Sequence, residues 1–93
     1  MAHAARIDKN GIVREVLAVD DDKFTDANGN LLGQKVGTFP QDTLLNEYME
    51  NLGLHDPNSG EEWRFTSYNG NFRGTYAGQG FTYNRQADQF IAP

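Results

Sequence analysis

Arg6-Ile7-Asp8-Lys9-Asn10-Gly11-Ile12-Val13-Arg14-Glu15-Val16-Leu17-Ala18-Val19 is the stretch on which the fold turns. Asn10-Gly11 stands between two partly alternating, β-branched runs, which is the strongest short-range signal for a β-hairpin. The pair predicts a tight two-residue turn with positive φ at both positions. Alternation places Ile12, Arg14, Val16 and Ala18 on one face of the second arm, and Val13, Glu15, Leu17 and Val19 on the other. The apolar second half of this arm implies that both faces are partly covered. Asp20-Asp21-Asp22 ends the strand, because adjacent carboxylates repel one another and have low β-propensity.

Working outward, Asp26-Ala27-Asn28-Gly29-Asn30 is a second turn signal, read as a short hairpin or exposed loop between Phe24 and Leu31-Leu32. Asp42 or Thr43 can cap a helix over 42–52, whose apolar positions are Leu44, Leu45, Tyr48, Met49 and Leu52, with Gly53 stopping it in a left-handed turn. His55 to Gly60 is a dense run of turn formers. Beyond it Trp63 and Phe65, then Phe81 and Tyr83, alternate with polar residues as strands do, and Phe90-Ile91 returns across the loop 84–88. A long irregular connection, 69–80, separates them. The expected class is α+β: a small antiparallel sheet, made of the N-terminal hairpin and a C-terminal aromatic meander, with one helix packed on it, in a single domain over residues 1–93.

Ile, Leu, Val and Phe supply only twenty of the 93 residues, so the core is thin, while eleven aromatics partly compensate. With no cysteine, disulfides and thiolate metal sites are excluded, which leaves association with a partner as the means of reinforcing a small core. The net charge of −5 argues against a polyanionic partner, since neutralising phosphates requires a basic face. Nucleic acid is therefore not expected as a partner. Membrane is not expected either, as no apolar run approaches the ~20 residues that cross a bilayer. Met1 to Ala5 lacks the charged and apolar regions of a signal peptide, so a cytoplasmic start is expected.

No stretch reads as catalytic, and no cofactor or metal is expected. Placing Asp26, Asn28 and Asn30 at positions 1, 3 and 5 of a calcium loop puts Leu31 where glycine is required and Gly37 where glutamate is. His3 sits in a terminus read as frayed and His55 in a loop. Ser59 and Ser67 lack a positioned base and a glycine elbow, and adjacent Glu61 and Glu62 point apart. Gly70, Gly74, Gly78 and Gly80 are followed by no helix, which argues against a phosphate cradle. They read instead as an irregular loop held by its aromatics. Tyr68, Phe72, Arg73, Tyr76 and Phe81 are the candidates for a protein interface, since Tyr and Arg are enriched at binding hot spots. Trp63, Tyr68 and Tyr76 would be the stacking residues if the chain were instead a carbohydrate-binding module. A planar exposed row would favour that rival.

Thr66-Ser67-Tyr68-Asn69-Gly70-Asn71-Phe72-Arg73, Tyr76-Ala77-Gly78, Phe81-Thr82-Tyr83-Asn84 and Asp88-Gln89-Phe90-Ile91-Ala92-Pro93 resemble a family of short proteins encoded by tailed bacteriophages of aquatic, including marine, bacteria. Members of that family typically open with Met-Ala-His and a hairpin around Asn-Gly, as Met1-Ala2-His3 and Ile7 to Val19 do here. They also carry a T-S-Y-N…Y-A-G…Y-T-Y-D…D-x-F-I-x-P pattern. The likeness covers both ends of the chain but not residues 20–60, and relatives often continue beyond the position of Pro93 into a Pro- and Trp-containing tail. The resemblance implies a structural virion component, assembled in the host bacterial cytoplasm, with no catalytic motif to carry over. Its expected role is capsid decoration or cementing of the head shell, and the alternative is a neck or tail component such as a fibre adaptor. The partners implied are the major capsid protein or neck and tail proteins, together with further copies of the chain itself.

Overall fold

Among residues 2–19, 42–70 and 73–93, which the computed structural model describes, the chain forms β1 (Ala2–Ile7), β2 (Val13–Val19), α1 (Asp42–Asn51), β3 (Glu62–Thr66), β4 (Thr82–Asn84) and β5 (Gln89–Ile91). The α+β class expected from the sequence is the one observed. The second turn signal at Asp26 to Asn30, the calcium reading and Phe72 lie outside the described residues.

β1 is the centre of a three-stranded sheet in the order β2-β1-β3, with both neighbours antiparallel to it. Its first half, read as a frayed terminus, is instead an interior strand: Ala4 and Ala5 are fully buried, one on each face. Small side chains there let layers approach the central strand from both sides. The C-terminal aromatic strands are shared between two sheets. β3 joins β1, placing Phe65 opposite Ala4 and Trp63 opposite Arg6, while β4 and β5 form a separate two-stranded sheet, Tyr83 opposite Phe90, with isolated bridges from Thr82 to Ile12 and from Phe90 to Gly74.

The hairpin between β1 and β2 is wider than the expected two-residue turn. The Asp8 amide donates to the Ile12 carbonyl at 2.9 Å and the Gly11 amide donates to the Asp8 carbonyl at 3.0 Å, enclosing the three residues Lys9, Asn10 and Gly11. Only Gly11 takes positive φ, at 84°; Asn10 does not. This is the three-residue loop in which a left-handed glycine closes the turn as a bulge. A second irregularity follows, because Arg6 pairs with Glu15 but Ile7 pairs with Val13, so that Arg14 is an extra residue in β2. That insertion corrects the alternation read from the sequence. Val13 moves off the face of Leu17 and Val19 and joins Ile7, Val16, Tyr83 and Phe90 on the other.

One face of the sheet carries α1. Leu45 and Met49 are buried there with Ala4, Val19, Trp63 and Phe65. The helix ends as expected at Gly53 (φ 78°), where the amide of Leu54 donates to the carbonyl of Met49 and that of Gly53 to the carbonyl of Glu50. These two bonds satisfy carbonyls that a helix end otherwise leaves without partners. The rotation of the helix is set by polar groups. The Asn46 amide group accepts from the Trp63 N–H (2.8 Å) and donates to the Trp63 carbonyl (3.0 Å), and Asp42 Oδ1 accepts from the Phe65 N–H (3.1 Å). Asp42 and Asn46, one turn apart, therefore cover the outer edge of β3 as a further strand would. Pinning that stripe inward turns Leu44 and Leu52 outward, to 38% and 54% exposure, although both fit the apolar pattern.

The opposite face is covered by the β4-β5 ribbon. It is attached to the start of β2 by bonds from the Val13 amide to the Phe81 carbonyl, from the Gly80 amide to the Val13 carbonyl and from the Tyr83 amide to the Gly11 carbonyl, each 2.8 Å. Ala5, Ile7, Val13, Ala77, Tyr83 and Phe90 form the core beneath it, with Val16 and Phe81 at its margin. Among the described residues, the buried apolar side chains thus fall into two small cores on either side of one sheet.

Candidate functional site

β3 ends in a turn, Ser67-Tyr68-Asn69-Gly70, closed by the Gly70 amide donating to the Ser67 carbonyl at 3.1 Å, with Gly70 at φ 70°. The turn carries Tyr68 out of the sheet to 69% exposure, the most exposed large hydrophobic side chain among the described residues. His3 lies beside it, because His3 is paired across strands with Thr66. Tyr76 arrives from the irregular connection, which is tied down where the Ala77 amide donates to Thr66 Oγ1 at 2.9 Å.

The three rings form one cluster. His3 stacks on Tyr68 at 5.8 Å between ring centres, Tyr76 meets His3 edge-on at 5.5 Å, and Tyr68 and Tyr76 are inclined by 65° at 5.2 Å. These separations and tilts are those of attractive aromatic packing. The cluster therefore holds Tyr68 by its neighbours while leaving most of its surface to solvent. Burial, reinforced by the nearby Tyr68 hydroxyl, raises the Tyr76 phenol above its ordinary pKa, so it stays protonated at neutral pH. An amphipathic, pre-ordered aromatic corner of this kind can bury area against another surface and offer hydroxyls at low entropic cost.

The remaining interface candidates are placed differently. Arg73 is buried, with positive φ (58°), and its guanidinium is engaged inside the molecule by Asp42 Oδ2 (2.6 Å), Asp88 Oδ1 (3.0 Å) and the Phe65 carbonyl (3.0 Å). It links α1, β3 and the β4-β5 turn and faces inward. Phe81 packs at the margin of the second core and approaches Gly78 so closely that a Cβ there would lie 3.1 Å from its ring. Trp63 is fully buried under α1, its indole N–H donating to the Leu54 carbonyl at 3.2 Å. It therefore offers no stacking platform to a sugar, and the inclined rings of Tyr68 and Tyr76 form no planar row.

Sequence reasoning missed His3, since its relevance depends on the pairing of β1 with β3, and residues 2–5 carry no alternation of their own. Beside Tyr83, Arg64 lies with its guanidinium 4.7 Å from the ring centre and Arg85 at 5.9 Å, while the hydroxyl donates to Asp88. Burial, with that bond, pushes the Tyr83 phenol up to about 12, and the group is a structural one. At the hairpin tip, Asp8, Lys9, Asn10, Arg14, Ser59 and Glu61 line an open polar groove of about 380 Å³. Its charges are largely taken up internally, Arg14 by Asp8 (2.7 Å) and Glu61 by Arg6 (2.8 Å). The Ser59 hydroxyl is likewise spent, donating to the Asp56 carbonyl at 2.7 Å. No protein-family model, curated protein or solved structure matches this chain.

Proposed function

We propose that this chain is a structural protein of a tailed-phage virion that decorates or cements the head shell, and that the His3, Tyr68 and Tyr76 corner is a surface by which it binds shell subunits. The observation that carries the reading is a convergence. The Met-Ala-His start, the T-S-Y-N segment and the Y-A-G segment, three separated parts of the phage-protein resemblance, supply the three rings of one exposed cluster. Segments that served only the interior would have no need to meet at a side chain 69% open to solvent. The mutual inclination of the Tyr68 and Tyr76 rings and the burial of Trp63 favour a protein partner over a sugar.

The test uses heads of the encoding phage assembled without this protein, to which purified chain is added back and quantified by co-sedimentation. Binding should saturate at many copies per head, and Tyr68→Ala should weaken it by about thirtyfold, corresponding to the ~2 kcal/mol of a hot-spot aromatic. Tyr68→Ala should remain folded, its melting temperature lowered by several degrees at most for the two partly exposed ring contacts it gives up. Undiminished binding by Tyr68→Ala would remove the corner from the interface, and binding only to tail-bearing particles would move the protein to the neck or tail.

A further inference from the structure

A second surface of different chemistry lies on the other side of the sheet. Between Val36 and Trp63 the sequence holds six carboxylates and no Lys or Arg. Asp42, Glu61 and Glu62 are engaged by arginines within the fold, whereas Glu47, Glu50 and Asp56 are exposed and have no cationic partner among the described residues. Glu50 stands in the last turn of α1, which has no basic residue, so a carboxylate sits where the helix dipole already concentrates negative potential. Leu52 and Leu54 flank the glycine that closes the helix and are 54% and 47% exposed. Two exposed leucines thus lie within a few residues of the exposed carboxylates of Glu50 and Asp56 at the end of the helix, so apolar surface and negative charge occur together there.

We infer that the C-terminal end of α1, with Leu52, Leu54, Glu47, Glu50 and Asp56, is a docking surface for a protein segment that carries Lys or Arg next to aliphatic side chains. Charge complementarity identifies the occupant: a cation delivered to this end gains the carboxylates and the helix dipole together, while its apolar neighbour covers the leucines. A symmetric contact between two such ends is disfavoured, because both carry the same sign. α1 packs on the face to which Ala4 points and the aromatic corner holds His3 on the opposite face, so a segment docked here leaves Tyr68 accessible. The inference stands independently of the head-binding role; if both hold, the chain has two contact surfaces on opposite sides, as a bridge between neighbours requires.

The probe is a short synthetic peptide alternating Lys pairs with Leu, titrated into the isotope-labelled full chain and followed by amide chemical shifts, with a Glu-for-Lys peptide as counterpart. The Lys/Leu peptide should bind saturably with shifts confined to residues 44–56, and the Glu/Leu peptide should not bind. The double variant Leu52→Ser/Leu54→Ser and the double variant Glu50→Lys/Asp56→Lys should each weaken binding by about tenfold or more, whereas Tyr68→Ala should bind as the wild type does. Shifts scattered over the acidic surface, or unchanged affinity in the leucine variant, would reduce the effect to non-specific attraction and overturn the assignment, as would no binding at all.

Discussion

Asp8 acts as the template of the hairpin turn. Its Oδ1 accepts from the amides of Asn10 (2.8 Å) and Ile12 (3.0 Å), and its Oδ2 accepts from Arg14 Nε at 2.7 Å. The bond from the Ile12 amide, followed by those from Asn10 and Arg14, holds the Asp8 carboxyl below its ordinary pKa. A carboxylate depressed in the fold contributes stability that is fully present above its unfolded value, near 4, and is lost as pH falls through the lower folded value. The Asp8 carboxyl carbon should therefore titrate below the ordinary aspartate value by NMR, and Asp8→Asn should flatten the acid limb of the stability curve. Gly11 is the complementary element of the turn. A Cβ at this residue would meet only the Tyr83 carbonyl oxygen at 3.5 Å, an ordinary contact, so the constraint is its φ of 84° rather than space. Gly11→Val should cost about 1–2 kcal/mol or more, the penalty of forcing an L-residue into left-handed backbone, and lower the melting temperature by several degrees. An unchanged melting temperature would contradict the assignment.

The elements interlock through side chains that stand in for backbone. Strand β3 is an edge strand, and exposed strand edges invite pairing with other chains. Asn46 satisfies both outward groups of Trp63, while Asp42 and Arg73 satisfy those of Phe65. Asn46→Ala would leave a buried N–H and C=O without partners, so it should cost about 1–3 kcal/mol and raise aggregation on heating. Denaturant unfolding with light scattering measures both, and a variant as stable and as soluble as the wild type would sink the edge-cover role. Much of this level was legible in the sequence. The span of α1, its glycine stop and the hairpin follow from local chemistry: apolar spacing, a left-handed glycine, Asn-Gly between β-branched runs. What escaped depends on contacts distant in sequence. The extra residue Arg14 reverses the face of Val13, and no feature of Val13-Arg14-Glu15 announces a bulge. The choice of β1 as partner for β3, and the engagement of Arg73 with Asp42 thirty-one residues away, likewise arise only when the layers close.

At the scale of the whole molecule, the buried apolar side chains of the described residues are spread over two small cores, with β1 shared between them. The sequence conveyed that the core is thin and the second half rich in aromatics, and it singled out Tyr68 and Tyr76. It did not convey that Arg73 would be spent in the interior, because a buried guanidinium between two carboxylates reads no differently along the chain from an exposed one. The two surfaces left open by this arrangement, an aromatic corner on one side of the sheet and an acidic, leucine-bearing helix end on the other, suit a protein that sits on a repeating assembly. Imaging the intact particle with the chain located in the reconstruction tests that claim most directly. The account predicts density for this domain at many symmetry-related positions over the head, with Tyr68 against a shell subunit. Density confined to one ring at a single vertex, as closed cyclic symmetry produces at a neck or tail, would contradict it.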